Sequence, residues 1–261
     1  MFEGRFPAYW NLVLDFSRRE IEQKYRGSYL GFVWLFLAPV LMLAVYTFVY
    51  SYVFRVKVMT MDRLDFVLWL YAGLTVFFFF SDVVTSATSC IRRSPNYVKK
   101  VIFPLEVLVS SKIIAAAFSF LVNFLLLLVF LFFKQRGLQV TILLVPLVVF
   151  PTVIFAYGLA MVLASVGVFV QDTDEASLFL MRVLFYFAPI VYPIAMVPEK
   201  VSGLIWLNPL TNMVEPFRGV LLFGKLPQWD QFGGFLLVAV GLFYVGRFCF
   251  KRLRPGFADV L

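Results

Sequence analysis

The sequence predicts an all-α integral membrane protein with six transmembrane helices, an N-terminal amphipathic interface helix, a cytoplasmic coupling helix and re-entrant outer helices before the last span. Three observations carry that prediction. Of 261 residues, 62% are hydrophobic and 15% charged, with a mean hydropathy of +0.91. The 33 Phe, 12 Tyr and 5 Trp exceed what a water-soluble domain of this length can hide from water. The charges fall in short clusters that separate uncharged stretches of about 20 residues or more, the length of helix that crosses a bilayer core of about 30 Å.

The N-terminal segment, 1–30, interleaves Trp10, Val13, Leu14, Phe16, Ile21 and Tyr25 with Asp15, Arg18, Arg19, Glu20, Glu22 and Lys24, the pattern of a helix lying in the headgroup plane. The basic residues before the first long apolar run argue against a cleaved signal peptide, so this segment is expected to stay attached. The first span is read as 31–54, within an uncharged run from Gly27 to Phe54. Gly27 and Gly31 at its start permit close helix approach. The second is 66–91, interrupted by Asp82, and the third is 113–133.

From Gly137 to Gln171 the chain carries no charge, too long a run for one straight span, and Pro146 and Pro151 lie inside it; the fourth span is therefore set at 147–170. The fifth is 176–197, with Arg182 near one end and Pro189 and Pro193 in its second half, and the sixth is 232–250. Between them, 199–230 is too apolar for a free loop and is broken by Pro209, Pro216 and Pro227, so a re-entrant segment is expected there. The whole chain, 1–261, then makes one transmembrane domain. On this map 15 Lys and Arg fall on the side of both termini and 8 on the other, which makes the termini cytoplasmic and the protein a multi-pass component of the cytoplasmic, inner membrane.

Composition also excludes functions. The net charge of +8 is scattered among loops rather than gathered in a stripe, so nucleic acid is not an expected partner. With no His, and with Cys90 and Cys249 far apart in sequence, no metal set is foreseen. Gly219 to Lys225 fits a phosphate-loop skeleton, but Leu226 stands where Ser or Thr is required and no strand precedes it. No segment outside the spans approaches the roughly 100 residues of a nucleotide-binding domain. Asp82 and Arg182 are the ionisable residues nearest span interiors, each read as snorkelling or locally paired. Asp172, Asp174 and Glu175 form an acidic cluster read as capping the fifth span; an enzyme acting on lipid-linked sugars would have to build on it.

Loop 92–106, Arg-Arg-Ser-Pro-Asn-Tyr-Val-Lys-Lys-Val-Ile-Phe-Pro-Leu-Glu, mixes four basic residues with Tyr97, Val101, Ile102 and Phe103. A short amphipathic helix is expected between Pro95 and Pro104, and its exposed apolar residues point to docking on a cytoplasmic partner. Tyr46 and Tyr50, four apart on the first span, share a helix face. That face reads either as an interfacial belt or as a lining on which sugar rings stack, and Phe185, Tyr186, Phe187 and Tyr192 read either as packing or as the same lining.

Four stretches together resemble the permease subunit of ATP-binding-cassette exporters of polysaccharides, the group that moves O-antigen, capsular and teichoic-acid polymers. They are Arg18 to Trp34 with Pro39 beyond it; Asn96 to Glu106; Asp172 followed by Ala188-Pro-Ile-Val-Tyr-Pro193; and Asn208-Pro-Leu-Thr-Asn-Met-Val-Glu-Pro-Phe-Arg218. The resemblance implies a type-2 permease that is not itself an enzyme and binds no cofactor, with ATP and Mg on a separate cytoplasmic ATPase present in two copies. It further implies a second copy of this chain and a lipid-linked polysaccharide, most readily O-antigen, as substrate; capsule, teichoic acid, a lipid or a drug are the alternatives. Carried over by position, Tyr97, Lys99, Lys100, Phe103, Arg18, Arg19 and Glu20 would couple to the ATPase. Tyr46, Tyr50, Tyr186 and Tyr192 would line the substrate channel, and Asn208, Glu215 and Arg218 would form the outer gate.

Overall fold

Helix lengths and their burial sort the chain into crossings, caps and corners in the computed structural model, which describes residues 5–25, 29–49, 63–99, 103–134 and 139–261. Among these, five helical stretches are long and apolar enough to cross a membrane: Gly31–Phe48, Leu64–Ala87, Glu106–Phe133, Val140–Phe169 and Trp229–Val260. Their cores are the helices α2 (Trp34–Phe48), α3 (Arg63–Ala87), α5 (Glu106–Phe133), α6 (Val145–Phe169) and α10 (Trp229–Leu253). Every described element is helical, as the sequence predicts. α2 ends at Phe48 with Val49 as its C-cap, and 50–54 of the first predicted span lie outside the described residues.

α3 is the centre of the bundle: 72% of its apolar window is buried, against 11% for α2, which lies at the periphery. Phe80, Val83, Val84 and Ala87 of α3 are completely buried. The most extensive pairing is α6 with α10, and small residues make it possible. A Cβ on Gly158 would lie 2.6 Å from the Phe243 nitrogen, and one on Gly246 would lie 2.2 Å from the Gly158 oxygen, so the two backbones touch where no side chain fits. Gly167 likewise faces the Thr88 carbonyl, 2.0 Å from where a Cβ would stand. Several buried hydroxyls are satisfied inside their own helices, as Thr75 on the Tyr71 carbonyl (2.9 Å) and Ser165 on the Val162 carbonyl (2.8 Å).

Several boundaries differ from the sequence reading. The third crossing starts at Glu106 rather than Ile113, because Lys112 is neutralised by Glu20 and so does not end the helix. The second ends as a helix at Ala87, and residues 88–93 continue as turns. The largest difference is the fifth: α7 (Thr173–Phe187) has only 15 residues, about 22 Å of helix. Pro189 forces Ala188 into an extended conformation (φ −89°, ψ 149°), so the chain expected to remain helical to Val197 leaves the helix there.

Beyond it lie α8 (Glu199–Leu207) and α9 (Pro209–Leu222), each too short to cross. The turn between them is sewn by the side chains of the Asn208-Pro-Leu-Thr-Asn sequence. The Asn208 carboxamide oxygen accepts from the Leu210 nitrogen (3.0 Å), the Thr211 hydroxyl donates to the Ile205 carbonyl (2.6 Å), and the Asn212 amide donates to the Trp206 carbonyl (2.8 Å). α9 then returns to the end of the bundle where Thr141 donates to the Val220 carbonyl (2.6 Å) and Gly224, at φ 63°, packs on Gln139. The phosphate-loop lookalike is thus the end of α9 and a left-handed turn. At the opposite, basal end lie α1 (Arg5–Tyr25), the single helical turn α4 (Pro95–Val98) and the C-terminal α11 (Phe257–Val260).

Candidate coupling face and gate

The basal face is built on an aromatic joint. Phe16 of α1 meets Tyr97 edge-on (centroids 5.1 Å apart) and Phe103 at 5.6 Å, and Tyr97 and Phe103 meet at 4.9 Å. The helix expected between Pro95 and Pro104 has only the four residues of α4, with Lys99 as its C-cap; Lys100, Val101 and Ile102 lie outside the described residues. Tyr97 and Phe103, expected as exposed docking residues, are half-buried, because Phe16 offers them an apolar partner within the chain. Asn96 and Lys99 are the exposed residues of that turn.

Ion pairs fix this joint to the bundle. Glu20 pairs with Lys112 of α5, linking α1 to the third crossing. The Arg254 guanidinium donates to the Phe103 carbonyl (3.2 Å) and to Glu106 (3.3 Å), so the C-terminal segment holds the end of the loop. Arg92 donates to the Gly167 carbonyl (2.8 Å) and to Asp174 (2.5 Å), which ties the loop to the start of α7. Asp172 is the N-cap of α7 but makes no side-chain capping bond; Asp174 is spent on Arg92. Arg18 is exposed and pairs with Glu22 one turn on (2.9 Å), and Arg19 lies over the Phe16 ring at 5.7 Å. Through these contacts the described parts of the loop, up to Lys99 and again from Phe103, are tied to α1, α5, α7 and the C-terminal segment. Between these parts, burial pushes the Cys90 thiol up to about 12, with Lys112 acting against the rise.

Asp82 is locally paired, one of the two readings open to it: Lys24 of α1 donates to it at 2.7 Å. The pair stands at the mouth of a cavity of about 540 Å³ between α2, α3 and α5, walled by Trp34, Pro39, Phe78 and Phe120.

Of the three residues expected at the gate, Glu215 and Arg218 are paired, whereas Asn208 stands apart at the α8–α9 corner. Arg218 is completely buried, with its guanidinium 3.6 Å from the Trp69 ring centroid. It donates to Glu215 (2.9 Å) and to the carbonyls of Trp69 (3.0 Å), Pro189 (2.6 Å) and Ile190 (2.8 Å). Those last two carbonyls belong to the stretch where α7 has stopped, so Arg218 supplies donors that the broken helix lacks. Gly73 makes the room: a Cβ there would be 2.2 Å from the guanidinium nitrogen. Asn208 is buried at the α8–α9 corner, and its amide donates to the Leu184 carbonyl (3.2 Å). Glu215 also borders a cavity of about 320 Å³ with Trp206, Asn212 and Lys225.

The three described tyrosines of the expected channel do not share one surface. Tyr46 packs partly buried against the core, and Tyr50 lies outside the described residues. Tyr186 is 70% exposed near the end of α7, whereas Tyr192 folds back to donate to the Phe187 carbonyl (3.2 Å). Phe16, Trp69, Gly73, Lys112 and Arg254 were not singled out as functional from sequence. A glycine inside a span of bulky residues was the one available sign of the Arg218 slot; the rest depend on contacts between residues distant in the chain.

With this geometry in place, comparison with known proteins is specific. The ABC-2 type transporter family matches residues 13–222. The chain is 25% identical over 253 residues to an O-antigen export system permease protein RfbA of Klebsiella pneumoniae, covering 97% of this chain and 95% of that one. It is 26% identical over 253 residues to the protein of the same name from Myxococcus xanthus, covering 96% and 95%. It is 23% identical over 245 residues to the polysialic acid transport protein KpsM of Escherichia coli, covering 92% and 88%.

Proposed function

Since the chain belongs to the ABC-2 type transporter family, we propose that it is the transmembrane permease subunit of an ATP-driven exporter of a lipid-linked polysaccharide, O-antigen being the polymer the similarities favour. The observation that carries the reading is similarity over nearly the whole length of O-antigen permeases, joined to a basal face whose Pro95–Val98 turn is tied to α1, α5, α7 and the C-terminal segment. The similarity to a polysialic acid transport protein favours a capsular polymer as the second reading.

In this mechanism the basal end faces the cytoplasm and docks a pair of ATPase subunits that bind ATP and Mg. Asn96, Lys99 and Lys100 touch the ATPase, and Arg18 and Arg19 extend the contact along α1. Tyr97 and Phe103 act one step behind as the joint that carries movement to Phe16, while Glu20 and Lys112 carry it on to α5. α7 and the irregular chain after it form the fifth of six crossings, with α10 the sixth, and the α8–α9 corner is the re-entrant outer gate held by Asn208, Glu215 and Arg218. Two copies of the chain enclose the path, with Tyr46, Tyr50, Tyr186 and Tyr192 offering rings to passing sugars. Stacking on rings is weak per contact and tolerant of sequence, so the polymer slides where directional pockets would stall it.

Deleting the gene for this chain in its own cell is the test. Loss of surface polysaccharide with accumulation of lipid-linked polymer on the cytoplasmic side is expected; unchanged surface polymer would reject the export function.

A further inference from the structure

We propose that the basal cavity between α1, α5, α6 and α10 binds the headgroup of an anionic glycerophospholipid of the surrounding leaflet. The cavity measures about 290 Å³ and is bordered by Tyr9, Glu106, Tyr157, Arg247 and Lys251. Its two phenols are joined by a hydroxyl: Ser110 lies 3.3 Å from the Tyr9 phenol and 2.9 Å from the Tyr157 phenol. The one carboxylate at its edge, Glu106, is already engaged by Arg254 at 3.3 Å. Arg247 and Lys251, one turn apart on α10, are exposed and have no ion pair among the described residues. The cavity therefore presents two uncompensated cations and two phenols at the depth of the membrane interface, the complement of a phosphodiester.

The face of α10 that leads away from the cavity favours a lipid over a free anion. Lys251, Phe248, Tyr244 and Leu237 recur at helical spacing on one face. Phe248, Tyr244 and Leu237 are respectively 69%, 65% and 76% exposed. Gly241 falls in the same row with nothing within 4 Å of where its Cβ would be, which leaves a groove. A phosphate held by Arg247 and Lys251 would lay its acyl chain along that row. Snorkelling cations alone need neither the cavity nor the phenols.

The test is native mass spectrometry of the full-length chain released from nanodiscs of phosphatidylcholine and phosphatidylglycerol. It reads lipid and not transport, so its failure is separate from any failure of the export function. The wild type is expected to retain phosphatidylglycerol in preference to phosphatidylcholine. The double variant R247Q/K251Q is expected to lose about 30-fold of that preference, about tenfold for each 1.4 kcal/mol at roughly 1 kcal/mol per basic residue. Arg252→Gln, which removes a charge at similar depth outside the cavity, is expected to leave the preference intact. No preference in the wild type overturns the proposal whether or not the double variant folds. Equal losses in R252Q and R247Q/K251Q, or displacement of the lipid by inorganic phosphate, overturn it as well.

Discussion

Arg218 shows how one side chain can decide the shape of a membrane protein. A guanidinium among apolar helices costs several kcal/mol in desolvation unless its donors are matched, and here one carboxylate and three carbonyls match them under the Trp69 ring. Replacing Arg218 with Ala leaves the Pro189 and Ile190 carbonyls without that donor; a loss of about 3–5 kcal/mol is expected, read as a lower unfolding temperature in detergent. Gly73→Ala strikes the same slot from the α3 side, and the same thermal scan should show destabilisation. The resemblance put Arg218 and Glu215 together at the expected gate, and a spacing of three on a helix lets them pair. The bonds of Arg218 to residues 69, 189 and 190 were not legible in the sequence, because nothing local encodes them. Cys90 carries a separate prediction. Burial raises its thiol above the usual range to about 12, so it remains neutral, and thus unreactive, up to well above pH 8. A maleimide at pH 8 should fail to label Cys90 in the folded protein, with Cys249 replaced by Ser, and should label it after denaturation; rapid labelling of the folded protein would show the site to be open.

At the scale of elements, contact between α6 and α10 rests on missing side chains. Gly246→Ala places a methyl 2.2 Å from the Gly158 oxygen, and a loss of about 1–3 kcal/mol is expected from the overpacking. Ala at Gly233 or Gly234, where nothing lies within 4 Å, should be tolerated in the same assay. The long apolar helices were legible because uncharged length is a direct consequence of bilayer thickness. Their ends were less so: a charge neutralised by a distant partner, as Lys112 is by Glu20, does not stop a helix, whereas Pro189 stops one within an apolar run. The basal joint obeys the same logic. Tyr97 and Phe103 were visible as apolar residues among charges, but their partner Phe16 lies some eighty positions away in the chain. Replacing both with Ala is expected to leave the bundle folded and to lower polymer export per ATP hydrolysed by tenfold or so, since removing two buried ring contacts at about 0.5–1.5 kcal/mol each loosens the joint. Export per ATP equal to wild type would remove these residues from the coupling path.

The whole molecule is unevenly clothed. Phe36, Val40, Leu41, Val45 and Phe48 of α2 are exposed, as are Leu178, Phe179, Tyr186 and Phe187 of α7, while α3 is buried on nearly every side. Lipid accounts for open apolar faces in a membrane protein, and a second copy of the chain would cover part of them in the proposed exporter. In the proposed exporter, movement enters through the basal face from a separate ATPase. That entry is tested most directly by purifying the tagged chain in mild detergent, identifying what comes with it and assaying ATP hydrolysis. A stoichiometric ATP-binding-cassette partner whose recovery falls when the exposed Asn96 and Lys99 are changed to Ala is the predicted result; an intact chain that purifies alone, without ATPase activity, would contradict it.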